Sequence, residues 1–360
     1  MSEFDKNVID DEKVVKGWDV SISENNENNA PRLVIVSSKS RPDYNKFTFP
    51  VQVVKGIVYP PWCSEQRWND LSSRIVYRSS DVLVVSYPKC GTTWAEQCAL
   101  LLLNKNYKHV TNPADKNVYK EGSLGKIWPE ACIEQRPDVH EKTGKEMVPI
   151  LMDVFDNAPS PRIIKSHAPV SHILGASGQA LDSLPKGIKV IVVTRNPLDA
   201  CVSGYFHAWN PAKSGWPFPA WAAAWFNGFV PHGDWFDWVR DWASYSRGDH
   251  GNNIHWVQFE DLKANPEETV QKLADFLGVG DDKELVQSAI EDSSFESMKE
   301  KATSQGEKEC AHLRKGVSGD WRNYFSDELA QEFVEKYNTV LSGTGITYSL
   351  GAGEKELTAP

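Results

Sequence analysis

The 360-residue chain has no apolar run long enough to cross a bilayer and no Asn-x-Ser/Thr glycosylation acceptor. It has no CxxC pair either. Cys63, Cys90, Cys98, Cys132, Cys201 and Cys310 are scattered, without zinc-like spacing, and read as reduced thiols. The opening stretch MSEFDKNVIDDEKVVKG is acidic and lacks the apolar centre of a signal peptide, so the expected compartment is the cytoplasm. Positive charge is in deficit: 39 Lys and Arg against 49 Asp and Glu leave a net charge of −10. That balance argues against nucleic acid or an anionic membrane surface as a partner. No Gly-x4-Gly-Lys-Ser/Thr string occurs, which argues against an ATP- or GTP-dependent enzyme, and no ligand cluster calls for a metal.

What is present is ordinary in amount, with 40% hydrophobic and 24% charged residues, and suits one large soluble domain or two smaller ones. Residues 1–45, with SENNENNAPR, read as a polar N-terminal arm, mobile or peripherally attached. Residues 342–360 read as a similar C-terminal tail, which leaves 46–341 as the main domain. Within it, VLVVSY (82–87), RIIKSH (162–167), KVIVVTRN (189–196) and IHWVQF (254–259) are continuous apolar runs. Such runs fit strands buried on both faces of a parallel sheet. After the last run, Asn265 as N-cap and Pro266 at the first helical position predict a helix. Val270, Leu273, Ala274 and Leu277 form its inner face and Gly278 stops it. The predicted class is α/β, a central parallel sheet flanked by helices with a phosphate-binding strand–loop–helix.

That last element is VLVVSYPKCGTTWAEQCALLLL, residues 82–103. A turn entering a helix presents unpaired N–H groups in a positive field. Lys89 adds a cation, Thr92 and Thr93 add hydroxyls, and Gly91 permits close approach of the backbone. An ordinary turn with a surface lysine is the plainer alternative. Three further segments carry charge at strand or loop ends: KSHAP with Lys165 and His167, VTRNPLDACVSGYFHAW with Arg195 and Ser203, and LRKGVSGDWRNYF with Arg314, Lys315 and Gly316. Singly, each is a solvated lysine, a structural histidine or surface charge. Convergence on one ligand would change that.

In this order, YPKCGTTW, KSHAP, RNPLDACVS and RKGVSGDWRNYF resemble the signature segments of cytosolic-type sulfotransferases, from about Lys55 to about Tyr337. The resemblance implies transfer of a sulfuryl group from 3′-phosphoadenosine 5′-phosphosulfate (PAPS) to a small alcohol, phenol or amine, releasing adenosine 3′,5′-bisphosphate (PAP). It implies Lys89, Cys90, Gly91, Thr92 and Thr93 around the 5′-phosphosulfate. Trp94 would lie against adenine, with a core-facing role open beside it. Arg195 and Ser203 would take the 3′-phosphate, with Arg314, Lys315 and Gly316 completing the clamp. Ser293, Phe295 and Phe259 would stand near the nucleotide. His167, near its ordinary pKa, would be the general base, with Lys89 and Lys165 stabilising charge and no metal required.

The chain departs from the family pattern at several places. Cys90 replaces a usual serine, and at a helix start it is expected to be a partly exposed, activated thiol. Phe259 replaces a common tyrosine and Ser293 a threonine. The family's dimer motif is not matched in RNYFSDELAQE, so no dimer is carried over. Residues 205–242 hold seven of the fourteen tryptophans. There Tyr205, Phe206, Trp209 and Phe218 are candidate walls of an apolar acceptor pocket, favouring a hydrophobic alcohol, phenol or sterol. A catalytically silent nucleotide-binding protein of the same fold stays as the alternative.

Overall fold

The computed structural model describes residues 15–23, 31–40, 46–103, 127–132, 152, 155–173, 184–207, 211–248, 251–304, 314–348 and 357–358. At its centre β5 (Val82–Ser86), β6 (Ile163–Ser166), β7 (Lys189–Thr194) and β8 (Ile254–Gln258) form a parallel sheet in the order β6-β5-β7-β8. Every residue of β5 is buried. Val82 and Val84 face one apolar cluster, Leu83 and Val85 the other. A continuous apolar run is the sequence such a two-faced strand requires. On the first face lie α2 (Thr92–Leu103), α7 (Pro266–Leu277) and α8 (Lys283–Asp292). On the second lie α3 (Pro197–Tyr205), α4 (Phe218–Phe226), α5 (Trp235–Ser246) and α10 (Asp327–Val340). In α7, Pro266 opens the helix, the four expected residues are buried, and Gly278 caps it at φ 86°.

A second sheet is antiparallel, β1 (Trp18–Ile22), β2 (Arg32–Ser38), β3 (Lys46–Val54) and β4 (Ile57–Tyr59), in chain order. The expected polar arm over 1–45 is therefore corrected, since Val34 and Val36 are fully buried against the main core. The period-two signal of RLVIVSS is only seven residues long, and the asparagine-rich stretch before it dominated the composition. The tail is corrected likewise. Tyr348, in β9 (Thr347–Tyr348), is 1% exposed and packs on Trp235 and Tyr337, while β9 pairs with β10 (Leu357–Thr358). Six of the tryptophans in the 205–242 stretch are core residues.

One ion pair aligns the two strands that carry the site. Asp81 precedes β5 and Arg162 precedes β6; the guanidinium donates to both carboxylate oxygens, at 2.5 and 2.9 Å, with both side chains almost wholly buried. Arg162 also donates to the Phe155 and Val76 carbonyls, and Asp81 accepts the Arg78 amide. Removing one partner would leave a buried charge uncompensated. Arg162→Met should lower unfolding free energy by about 3–5 kcal/mol, measured by denaturant titration, and an effect below 1 kcal/mol would contradict this role.

Candidate nucleotide-binding and catalytic site

The carboxyl ends of β5, β6 and β7 open into one cleft of about 120 Å³, where open α/β sheets place their ligands. After β5 the chain turns with Lys89 at φ 71° and Gly91 at φ 99° before α2 begins. A Cβ on Gly91 would stand 3.0 Å from the Phe259 ring. Glycine thus meets both the backbone twist and the tight fit there. Thr92 shares a hydrogen bond with Ser86 on β5, which pins the first turn of α2 to the strand. The α2 N-terminus, with its unpaired amides, faces this turn.

Arg195 follows β7 and is 8% exposed. Its guanidinium lies 4.1 Å over the Phe259 ring and donates to the carbonyls of Lys89 and Val317 at 3.4 and 2.9 Å. It therefore ties the phosphate-type loop to the 314–319 loop, and its buried Nε has no hydrogen-bond partner. In the 314–319 loop, Arg314 and Lys315 each sit 2.7 Å from the Asp320 carboxylate, which they hold down at about 2 despite its burial. Gly316, at φ 64°, lies so close to Phe295 that a Cβ would come within 2.5 Å of the ring. Asp199 on α3 accepts the amides of Gly319 and Trp321 at 2.6 and 3.0 Å and anchors the loop.

At the end of β6, Lys165 places its ammonium 4.1 Å over the Trp128 ring. His167 follows, 7% exposed, between Trp128 and His232 at ring separations of 5.3 Å each. Its Nδ1 lies 2.8 Å from the Ser86 carbonyl. A carbonyl only accepts, so Nδ1 carries the hydrogen and Nε2 keeps its lone pair. Burial, then Lys165 and His232, push its pKa well below the usual histidine value. The expectation of a near-ordinary pKa is therefore corrected. His167 is a neutral imidazole of fixed tautomer.

The cleft is lined by Lys89, Gly91, Thr92, Thr93, Trp94, Lys165, His167, Arg195, Ser203, Phe259, Phe295, Arg314, Lys315 and Gly316, all named from sequence. Cys90 and Ser293 do not line it. The Cys90 side chain turns into the core, is fully buried, and has its thiol pushed up to about 12 by that burial. It is not the exposed, activated thiol expected. Ser293 is 2% exposed at the end of α8, its hydroxyl turned toward the Ile290 carbonyl. Tyr205, Phe206 and Phe218 pack with Tyr324 and Phe325 rather than along the cleft. Trp209 lies outside the described residues. The helix ends at Tyr205, whose position stands about 200° round from Ser203, and Phe206 and His207 lie past its end, in the turn that follows. His207 lines the cleft, with Trp128, Pro88, Met298 and Val317. His207 carried no spacing signal, because it lies past the helix end. Trp128 had none, because its segment is placed by the bridge between Ile127 and Ile164.

The donor set suits phosphate: two arginines, lysines, two neighbouring threonines and two glycine-bearing loops. Among the described residues no group of His, Cys, Asp and Glu is placed to hold a metal ion, and no helix is long and apolar enough to cross a membrane. Residues 79–345 match the family model of the sulfotransferase domain. Sulfotransferase 1E1 of Cavia porcellus is 30% identical over 278 residues, covering 74% of this chain and 85% of the relative. Sulfotransferase 2A2 of Mus musculus is 30% identical over 319 residues, covering 84% and 96%. In solved structures the fold is similar to retinol dehydratase in a complex with retinol and PAP. That match has a TM-score of 0.64 and 18% identity, over 92% of this chain and 99% of that one. Mouse sulfotransferase SULT7A1 complexed with PAP matches with a TM-score of 0.58 and 22% identity, over 81% and 94%. The chain belongs to the sulfotransferase family. It is an enzyme of that family's PAPS-dependent kind.

The buried histidines give the site a pH signature. Burial pushes His172 down to about 4 and His207 and His232 to about 3, and His167 is depressed with them. Below about 6.5 the unfolded chain protonates these four while the folded chain does not, so stability falls as pH falls. Glu130 and Glu260, raised by burial to about 6 and about 7, act in the opposite sense. The four histidines outnumber the two glutamates, so between pH 6 and 5 acid lowers stability. Denaturant midpoints should drop across that interval, and His232→Phe should flatten the slope. A midpoint that rises on acidification would contradict it.

Proposed function

We propose that the cleft binds PAPS and transfers its sulfuryl group to the hydroxyl of a small acceptor, with His167 as general base. The observation that carries this is the convergence of Lys89, Lys165, Arg195, Arg314 and Lys315 beside the neutral His167 in a chain of net charge −10. Arg195 and Ser203, with Arg314, Lys315 and the Gly316 amide, take the 3′-phosphate. Lys89, Gly91, Thr92 and Thr93 take the 5′-phosphosulfate. Trp94, Phe259 and Phe295 supply the aromatic walls for adenine; Cys90 contributes through its backbone, and Ser293 supports that wall from behind. PAP in the related solved structures supports the choice of nucleotide. Bound there, PAPS supplies an activated sulfuryl group whose departure leaves PAP.

The protein's share of the chemistry follows from charge. His167 Nε2 accepts the acceptor's hydroxyl proton as that oxygen bonds to sulfur. As the bond from sulfur to the 5′-phosphate oxygen breaks, its electrons pass to the phosphate. Lys89 and Lys165, both on the cleft wall, stabilise that charge. Trp128 and His207, beside His167, give the acceptor a flat apolar wall with a polar edge. A hydrophobic alcohol or phenol fits it, and the cytoplasm is where we place the reaction.

Two measurements test this. Arg195→Ala should weaken PAP binding far more than AMP binding, by about 1.5–3 kcal/mol, in a calorimetric titration. Equal weakening would remove Arg195 from the 3′-phosphate. His167→Ala should lower turnover of an aliphatic alcohol by roughly 10²–10⁴-fold with PAP affinity retained. The defect should shrink as a phenol acceptor becomes more acidic. Near-native turnover by a folded variant would refute the base.

A further inference from the structure

Residues 127–132 cover the outer edge of β6. Ile127 bridges to Ile164 in parallel, and its carbonyl accepts the Lys165 amide at 2.7 Å. Trp128 then lies against Lys165 and His167, and Glu130 turns inward, 4% exposed. Its Oε1 accepts the Ser166 hydroxyl, and the same Ser166 oxygen accepts the Ala168 amide at 3.0 Å. The carboxylate is also within reach of the His167 backbone amide. One buried carboxylate therefore grips the chain on both sides of His167. Its second oxygen, Oε2, is buried without a hydrogen-bond partner. Glu130 does not line the cleft, whose wall is made by Trp128, Lys165 and His167, so it touches no ligand there. A buried carboxylate oxygen without a partner costs stability, and holding β6 in place calls for no charge.

We propose that Glu130 is a positioning residue for sulfuryl transfer: through Ser166 it sets the direction of the Lys165–His167 strand end, and its negative charge balances the proton that His167 takes up. This rests on His167 being the base of the reaction proposed above. The groups that face the carboxylate are Lys165 and the Ser166 hydroxyl from β6, Tyr59 from β4, and Tyr77 from the segment before β5. Burial, outweighing the Ser166 bond and the Lys165 charge, pushes Glu130 up to about 6, whereas His167 is depressed well below its usual value. The acid limb of turnover therefore belongs to Glu130. Below its pKa the carboxyl is neutral, the Lys165 ammonium and the nascent imidazolium lose their counter-charge, and the rate falls.

Glu130→Gln keeps the shape and removes the charge. Turnover should fall by about 10–100-fold, PAP affinity should stay within about twofold of native, and the acid limb of kcat/KM near pH 6 should disappear. Ser166→Ala cuts the mechanical link and leaves the charge, so turnover should fall while the acid limb stays. A merely structural carboxylate would lower Tm and leave the pH profile unmoved. Near-native turnover in Glu130→Gln, or an unchanged acid limb, overturns the proposal. If Glu130→Gln does not fold well enough to bind PAP, Ser166→Ala decides, and native turnover in it overturns the proposal. Failure of the sulfotransfer assignment looks different: the native protein itself would sulfonate no acceptor from PAPS.

Discussion

Mutual repulsion among cations is the constraint around which the site is built. Lys89, Lys165, Arg195, Arg314 and Lys315 share one small cleft, and without a ligand they push one another apart. The fold answers with dipoles and ring faces more than with carboxylates. Arg195 rests on two backbone carbonyls and the Phe259 ring, and Lys165 lies over Trp128. Neutral partners orient a cation without cancelling its charge, so its field remains available to a phosphate or a departing oxygen. Arg314 and Lys315 meet a carboxylate at hydrogen-bond distance, and they share Asp320. Burial first, and then the same positive field, keep the histidines of the site neutral, which is the state a base needs.

The parts of the site legible in the sequence are those held by chain-local rules. A buried strand followed by a turn and a helix start can be read from residues 82–103 alone, and the inner face of α7 from its spacing. Gly91 and Gly316 were marked by residue type, although their reasons, Phe259 and Phe295, are far away in sequence. What could not be read depends on which way a side chain turns. Cys90 lies in the right loop but faces the core, because the left-handed residues around it reverse the chain. Tyr205 closes the right helix on its far side, and Phe206 lies just past its end. Trp128 and Glu130 reach the catalytic strand through one isolated bridge, which no periodicity announces.

The N-terminal sheet shows the same limit from the other direction. Its apolar strand β2 is short and follows asparagines, so composition alone concealed it. Tertiary context makes it a strand: Phe47 and Phe49 on β3 pack against Trp216, just ahead of α4. The tryptophan-rich stretch is thus mainly a core that several elements share, and its aromatic content reports on packing before it reports on a ligand.

Asp199 has a consequence for how this enzyme is inherited. One carboxylate from the middle of the chain fastens a loop that lies 120 residues later, and that loop carries two of the five cations. A gene fragment ending before residue 314 would still encode all four strands of the parallel sheet and His167, yet only three of the five cations of the cleft. Losing that loop would remove Arg314 and Lys315 and take from Asp199 the two amides it accepts. Changes at Asp199 and in residues 314–319 are therefore expected to be inherited together, far apart in the chain as they are.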